Sequence, residues 1–446
     1  MKKVYQYIII FLIFTIITSI YSIYVFGPDP DEIWNFGFAY NILNGLIPYK
    51  DFNMIIPPLF AFTTVPIIAI FGQRLITLDI YSGIIVGLII TLMYKKINKR
   101  AFLLYPLLIL GYLPSYNLFS ILLFTILILT NDTNNKNKDI YLGLIASLMF
   151  LTKQTIGMAI LIPCLYYSKN KKKTIISFLI PNLIFLIYLI FNNALYNFID
   201  YCFLGMLSFG KENGFLTINT IIIIFFCLYF IYKLIKTKFK NSSYFYGLMF
   251  QVVAFPMGDK LHFFMALLIV FYVLLINHKL ATKMIYMYLM IFSYVTLISI
   301  LAVKNINNKN YIEKENDIYY GKNLKQNVKQ YMTNYKKSLE IADEIGYEEI
   351  IVLSNSAYFL KLSQHQTITK FDLINNGNMG YKGYKGYIKD IEEKCAKKDC
   401  LFITEKYQRT SPTHQTNKQL MEYPSKNYNL VYVVDNFYIY KGKIPE

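Results

Sequence analysis

The stretch Gly27-Pro28-Asp29-Pro30-Asp31-Glu32-Ile33-Trp34-Asn35 decides how this chain is read. It lies where the first apolar run, residues 4–26, ends. Carboxylates at a membrane boundary are costly unless paired, hydrated or used, so they mark a functional site by default. The run opens with Met1-Lys2-Lys3 in the manner of a secretory leader. Its length and its lack of a small-residue cleavage site predict a retained helix instead. Within the acidic stretch, Asp29 suits an N-cap, Pro30 the first helical position and Glu32 the third, which is a capping box. The helix is expected to run to Asn44 and stop at Gly45. The cap explains Asp29 and Glu32 but leaves Asp31 without a structural task.

Outward from this stretch, apolar segments recur near residues 5–26, 57–71, 73–94, 101–114, 117–130, 139–151, 155–168, 174–191, 216–234, 244–256, 262–277 and 283–303. A helix of ~20 residues crosses a hydrocarbon core. With 446 residues, 55% hydrophobic and 16% charged, the chain is expected to be an all-α polytopic membrane protein rather than an ordinary soluble enzyme or a disordered chain. The net charge of +18 does not imply nucleic acid, because much of it falls in short loops at 95–100, 169–173, 233–240 and 278–283. Those are the basic loops of a cytoplasmic face. The N-terminus is then cytoplasmic, and the loops near 114–116, 152–154, 192–215 and 256–260 face outside, as does everything after 303. Twelve crossings would place both termini on one side, so segment 57–71, with Pro57, Pro58 and Pro66, is expected to be a re-entrant or tilted half-span. The abundance of Ile, Asn, Lys and Tyr suggests an AT-rich bacterial genome.

Residues 304–446 are polar and Lys-rich, and form a second domain after the membrane domain at 1–303. A helix over 331–345 and strands at 349–354, 400–404, 430–434 and 437–440 predict a small α/β extracytoplasmic domain. Cys395 and Cys400 either pair outside the cell or remain free thiols, and Cys164, Cys202 and Cys227 read as inert packing. Tyr381-Lys382-Gly383-Tyr384-Lys385-Gly386-Tyr387 reads as a flexible loop, and Trp34 as an interfacial anchor. No metal-ligand spacing, Walker loop or dinucleotide turn is present, so no cofactor is expected, and dependence on a divalent metal stays open.

Three further stretches carry a resemblance. The first outer loop, 27–56, continues as Asn44-Gly45-Leu46-Ile47-Pro48-Tyr49-Lys50-Asp51-Phe52 and then Pro57-Pro58-Leu59-Phe60. Phe150-Leu151-Thr152-Lys153-Gln154-Thr155-Ile156-Gly157 interrupts a long apolar stretch at an outward-facing point. Asp259-Lys260-Leu261-His262-Phe263 follows Phe255-Pro256. In order and sidedness these resemble the integral-membrane glycosyltransferases of the GT-C fold. The branch is that of bacterial relatives of protein O-mannosyltransferases and of the lipid A aminoarabinose transferase. At Pro256-Met257-Gly258 the chain departs from that pattern, lacking a basic residue before Asp259.

The resemblance implies a GT-C type helical bundle and an inverting transfer of sugar from a polyprenyl-phosphate donor. The acceptor would be a wall polymer, glycolipid or protein outside the cytoplasm. Asp31 or Glu32 would be the base, since a positioned carboxylate can take the acceptor hydroxyl proton. Lys153 and Gln154 would hold the donor phosphate, with Asp259 and His262 on the opposite wall. Tyr49 and Asp51 of the first loop would join the substrate-binding set. The alternatives are a transporter or flippase of lipid-linked sugars, which would place charged groups within spans, and a polysaccharide polymerase or ligase, which would present arginines in large outer loops.

Overall fold

Packing begins with small residues. Gly83 and Gly87 are spaced four apart on helix α4 (Leu75–Ile97) and face helix α1 (Lys2–Val25). A Cβ on Gly83 would stand 2.2 Å from Ser19 Oγ, and one on Gly87 2.4 Å from Thr15 Oγ1. Such small-residue faces let two apolar helices approach closely where lipid supplies no hydrophobic drive. In this computed structural model residues 2–25, 30–110, 115–207, 217–256, 259–277, 318–322, 326–354, 374–375, 377–407 and 416–443 are described. The expected Asp29 cap and the expected segment 283–303 lie outside them.

The chain is a helical membrane protein with a small C-terminal sheet. Four stretches are long and apolar enough to cross a membrane: Lys3–Tyr24, Leu75–Leu108, Lys171–Phe191 and Ile218–Lys236. Three of them bury only 28%, 22% and 22% of their apolar windows, whereas Leu75–Leu108 buries 67%. The exposed rows of Ile, Leu and Phe on those three helices suit a hydrocarbon solvent.

Between these run shorter apolar helices. Helix α2 (Pro30–Leu43) starts where the acidic stretch predicts and ends before Gly45, whose φ of +83° suits a C-cap. Helix α3 (Leu59–Phe71) has 13 residues and contains Pro66. At about 1.5 Å per residue it falls well short of a bilayer core of about 30 Å. Segment 101–114 differs from expectation. It is not a separate span in the described residues but a 3-10 turn, Asn98–Leu104, and a single helical turn, α5 (Tyr105–Leu108). Asn98 sits in the left-handed region at φ 53°, and Pro106 lacks an amide donor, so the apolar run bends instead of crossing anew. Helices α6 (Tyr116–Asn131), α7 (Lys138–Thr152), α8 (Gln154–Tyr167) and α9 (Lys171–Phe191) follow. Next come α10 (Leu195–Ile199) and, farther on, Ser242–Ala254 and Lys260–Ile276.

The C-terminal part carries β1 (Glu349–Leu353), β2 (Cys400–Glu405), β3 (Tyr428–Val434) and β4 (Phe437–Lys443) in the order β1-β2-β4-β3. β1 and β2 are parallel, and the remaining pairs are antiparallel. The helix Gln326–Ile345 covers one face through Tyr335, Leu339 and Ala342 against Ile350, Leu401 and Ile439. The stretch expected as a flexible loop proves to open a helix, Gly383–Cys395, with Tyr387 and Ile391 inward at helical spacing. Cys395 and Cys400 are disulfide-bonded at the entry to β2.

This part seats directly on the membrane domain. Tyr381 N donates to Asp200 Oδ1 at 2.9 Å, and Gly380, at φ +69°, has room only for hydrogen because Asp200 Oδ2 lies 2.6 Å from its would-be Cβ. Segment 318–322 lies against the start of α4, where Leu75 N donates to Ile318 O at 2.7 Å.

Candidate functional site

The turn Thr152-Lys153-Gln154 builds the centre. Lys153 alone separates α7 from α8, with an extended backbone at φ −151°, ψ 107°. The two helices fold back on each other there. A Cβ on Gly157 would stand 2.2 Å from the backbone of Phe150, so only glycine permits this tight hairpin. Its apex drives Lys153 into the protein, leaving it 6% exposed.

The Lys153 ammonium donates to Asn117 Oδ1 at 3.2 Å and lies 3.0 Å from His262 Nε2. It also stands 5.4 Å above the Tyr116 ring. His262 Nδ1 is 2.7 Å from Asp259 Oδ2, while Asp259 Oδ1 caps the helix Lys260–Ile276 by accepting from His262 N at 2.8 Å. An ammonium cannot accept, so Nε2 must, and the imidazole is assigned as neutral with its Nδ1–H donated to Asp259. Asp259 thereby sets the tautomer that receives Lys153. Burial pushes the Lys153 ammonium down to about 8, against the opposing fields of Asp259 and Asp31. Burial raises Asp259 as well, but the hydrogen bonds from His262 and the field of Lys153 leave its carboxyl below the usual range.

Asp31 lies in the first turn of α2, half-buried, and its charge reaches both Lys153 and Tyr116. Trp34, one turn on, is buried against Phe38 at 5.3 Å and Tyr116 at 6.4 Å, a core position rather than an exposed anchor. Gln154 donates to Cys202 O at 2.6 Å and to Ile55 O at 3.3 Å.

A cavity of about 80 Å³ opens among Tyr116, Lys153, Gln154, Thr155, His262 and Asn378. Among the described residues Gln154 Oε1, Thr155 Oγ1 and Asn378 Oδ1 are buried without a hydrogen-bond partner, and so is Asn117 Nδ2 beside Lys153. A buried polar atom left unpaired costs about 1–3 kcal/mol, so such a cluster marks a place that receives polar matter.

The other first-loop residues are placed differently. Glu32 is 1% exposed and accepts from Lys322 Nζ at 2.7 Å. Lys322 also donates to both oxygens of Asp79 at 2.8 Å, and Ser22 Oγ donates to Asp79 as well. Tyr49, fully buried, donates its hydroxyl to Ile56 O at 2.6 Å and packs on Phe198 at 5.2 Å. Asp51 accepts from Ile47 N at 2.8 Å and closes its own turn. The structure thus brings Asp31, Lys153, Asp259 and His262 together with Gln154. It places Glu32, Tyr49 and Asp51 in bonds within the scaffold.

Sequence reasoning passed over Asp79, Lys322, Asn117 and Asn378. Asp79 carried a signal, being the sole acid inside the apolar helix Leu75–Ile97. Among the described residues no group of three or more His, Cys, Asp or Glu side chains is placed to hold a metal ion. Compared with known protein families and with curated proteins, the chain matches none.

Proposed function

We propose that this chain is an integral-membrane glycosyltransferase that moves a sugar from a polyprenyl-phosphate donor to an acceptor outside the cytoplasm, with inversion at the anomeric carbon. The observation that supports it best is the meeting of Lys153 and Gln154 with His262, from a distant segment, at one small cavity within reach of the Asp31 charge. A phosphate entering that cavity would meet the Lys153 ammonium and the Thr155 hydroxyl, which has no partner among the described residues. Charge-assisted contacts of this kind are the strong ones in a site shielded from water.

In the proposed step the acceptor hydroxyl gives its proton to Asp31 as its oxygen forms the new bond to the anomeric carbon. The bond from that carbon to the donor phosphate oxygen breaks, and the phosphate leaves with both electrons toward Lys153. Asp31 is preferred to Glu32 as the base because the Glu32 carboxylate is committed to Lys322. Neutral His262 keeps Lys153 in place without competing for the phosphate charge.

The basic loops then lie in the cytoplasm of a bacterial cell and the C-terminal sheet outside. Lys426→Cys, on an exposed helix of that part, should react with a membrane-impermeant maleimide in sealed cells. Protection until lysis would reverse the orientation.

The central test is turnover of the full-length protein in liposomes with a polyprenyl-phosphate hexose. Asp31→Asn preserves size and hydrogen bonding but removes basicity, with an expected loss of ~10²–10⁴-fold. Turnover near wild type in Asp31→Asn at matched folded fraction would remove Asp31 as the base.

A further inference from the structure

A larger cavity, about 560 Å³, lies elsewhere, between the first outer loop, the 197–201 stretch and the helix Gly383–Cys395. That volume is in the range of small-molecule sites, and a junction between domains is where such sites concentrate. It stands next to the candidate site, because Tyr201 lines both cavities, and Asn53 of the larger one is followed by Ile55 and Ile56 of the smaller. We infer that this cavity is the acceptor site of the proposed transferase and that it takes an uncharged saccharide chain; the inference rests on the glycosyltransferase reading above.

The wall chemistry selects that class. Asn53 is 5% exposed, lines the cavity, and keeps its Oδ1 without a hydrogen-bond partner among the described residues. Such an acceptor, buried and unmet, suits a ligand that brings hydroxyl donors. Asp390 and Lys394 supply an acceptor and a donor from one face of the helix, and Tyr201 and Tyr387 supply aromatic wall. Sugar rings present donors, acceptors and apolar ring faces together, which matches this mixture. A lipid chain does not match, since among the described residues Met379 is the single apolar aliphatic side chain in the lining. An anionic polymer does not match either. Five lysines are set against four carboxylates, and Lys398 with Glu349 and Lys389 with Glu393 are already paired. The field in the cavity is therefore close to balanced.

The inference also gives the C-terminal part a task. Its helix Gly383–Cys395 forms one wall of the larger cavity, and Gly377 and Asn378 border the smaller one. The Tyr-Lys-Gly repeat at 381–387 puts Gly383 in the lining, where a Cβ would meet nothing within 4 Å and space is left for a ring.

Saturation-transfer NMR on the full-length protein in nanodiscs tests this without needing turnover. The probes are neutral tetrasaccharides of glucose, galactose, mannose and N-acetylglucosamine, with a polyol-phosphate oligomer of similar length as the anionic control. At least one neutral tetrasaccharide should bind, and Asn53→Ala and Asp390→Ala should each weaken it tenfold or more. Asp390 is exposed, so its truncation leaves folding intact and keeps the test decisive if Asn53→Ala folds poorly. No binding across the neutral panel, binding of the anionic oligomer alone, or unchanged binding in Asp390→Ala would overturn the inference. Saccharide binding without any transfer would retain this cavity and sink the transferase reading. Transfer without saccharide binding would do the reverse.

Discussion

Two buried lysines in this protein have opposite surroundings. Lys322 is wholly buried and meets two carboxylates, Glu32 at 2.7 Å and Asp79 at 2.8 Å. Lys153 is nearly as buried, yet the groups it touches are uncharged: an amide, a neutral imidazole and a tyrosine ring. One cation is saturated, and the other keeps capacity for an anion. A saturated cluster makes a joint between segments, here tying residues 318–322 to α1, α2 and α4. An unsaturated cation beside a cavity is poised for a ligand, because its desolvation is only partly offset until one arrives.

The largest expected effect tests the joint. Lys322→Met leaves two buried carboxylates facing each other, and removing one partner of a buried ion pair costs roughly 3–5 kcal/mol. Denaturation of the purified protein should show that loss, and adding Glu32→Gln and Asp79→Asn to Lys322→Met should recover most of it. Unchanged stability in Lys322→Met would mean that the cluster does not hold the two parts together.

Lys153→Met should act the other way. It removes a desolvated ammonium with no carboxylate directly bonded to it, so stability should hold or rise. Affinity for a polyprenyl-phosphate sugar should fall by the worth of a charged hydrogen bond, about 1.5–3 kcal/mol, or some ten- to a hundredfold. Lys50→Ala, at an exposed site, serves as the control. Equal donor affinity in Lys153→Met and Lys50→Ala would erase the contrast between the two buried lysines.

The same contrast shows what the sequence could reveal. Local features were legible: Pro30 and Gly45 bracket α2, and Lys153 breaks an apolar run at the apex of a hairpin. The four strands fall within a few residues of their expected positions, because alternation and turn residues act over short range. Pairing was not legible. Lys322 and Asp79 are 243 residues apart, and Lys153 and His262 are 109 apart. No periodicity links such positions. Segment 101–114 failed for another reason. Hydropathy sees an apolar run but not the left-handed Asn98 and the Pro106 that bend it. The stretch 381–387 failed because its glycines outweighed the helical spacing of Tyr387 and Ile391.

The last effect expected is a matter of pH, and it separates the two lysines by sign. Burial holds Lys153 near 8, below its ordinary 10.5, and it stands at the joint between α7 and α8 rather than within one of the four spanning stretches. Between about 8 and 10.5 the unfolded chain keeps the Lys153 proton that the native state has lost, so unfolding free energy should climb with pH across that window. Donor binding should run against it, since the phosphate needs the ammonium, and affinity should decline as pH rises through 8 by at most about tenfold per unit. Burial pulls Lys322 down too, but Asp79 and Glu32 more than offset this and hold it above its ordinary value of 10.5. Its contribution is then fully present below 10.5 and is lost only as pH climbs through that raised value. The measurement is donor affinity and unfolding free energy on one preparation from pH 7 to 10, with Lys153→Met beside the wild type. Wild type should show the two opposed slopes and Lys153→Met neither. Parallel slopes in both proteins would assign the titration to some other group and take Lys153 out of the donor site.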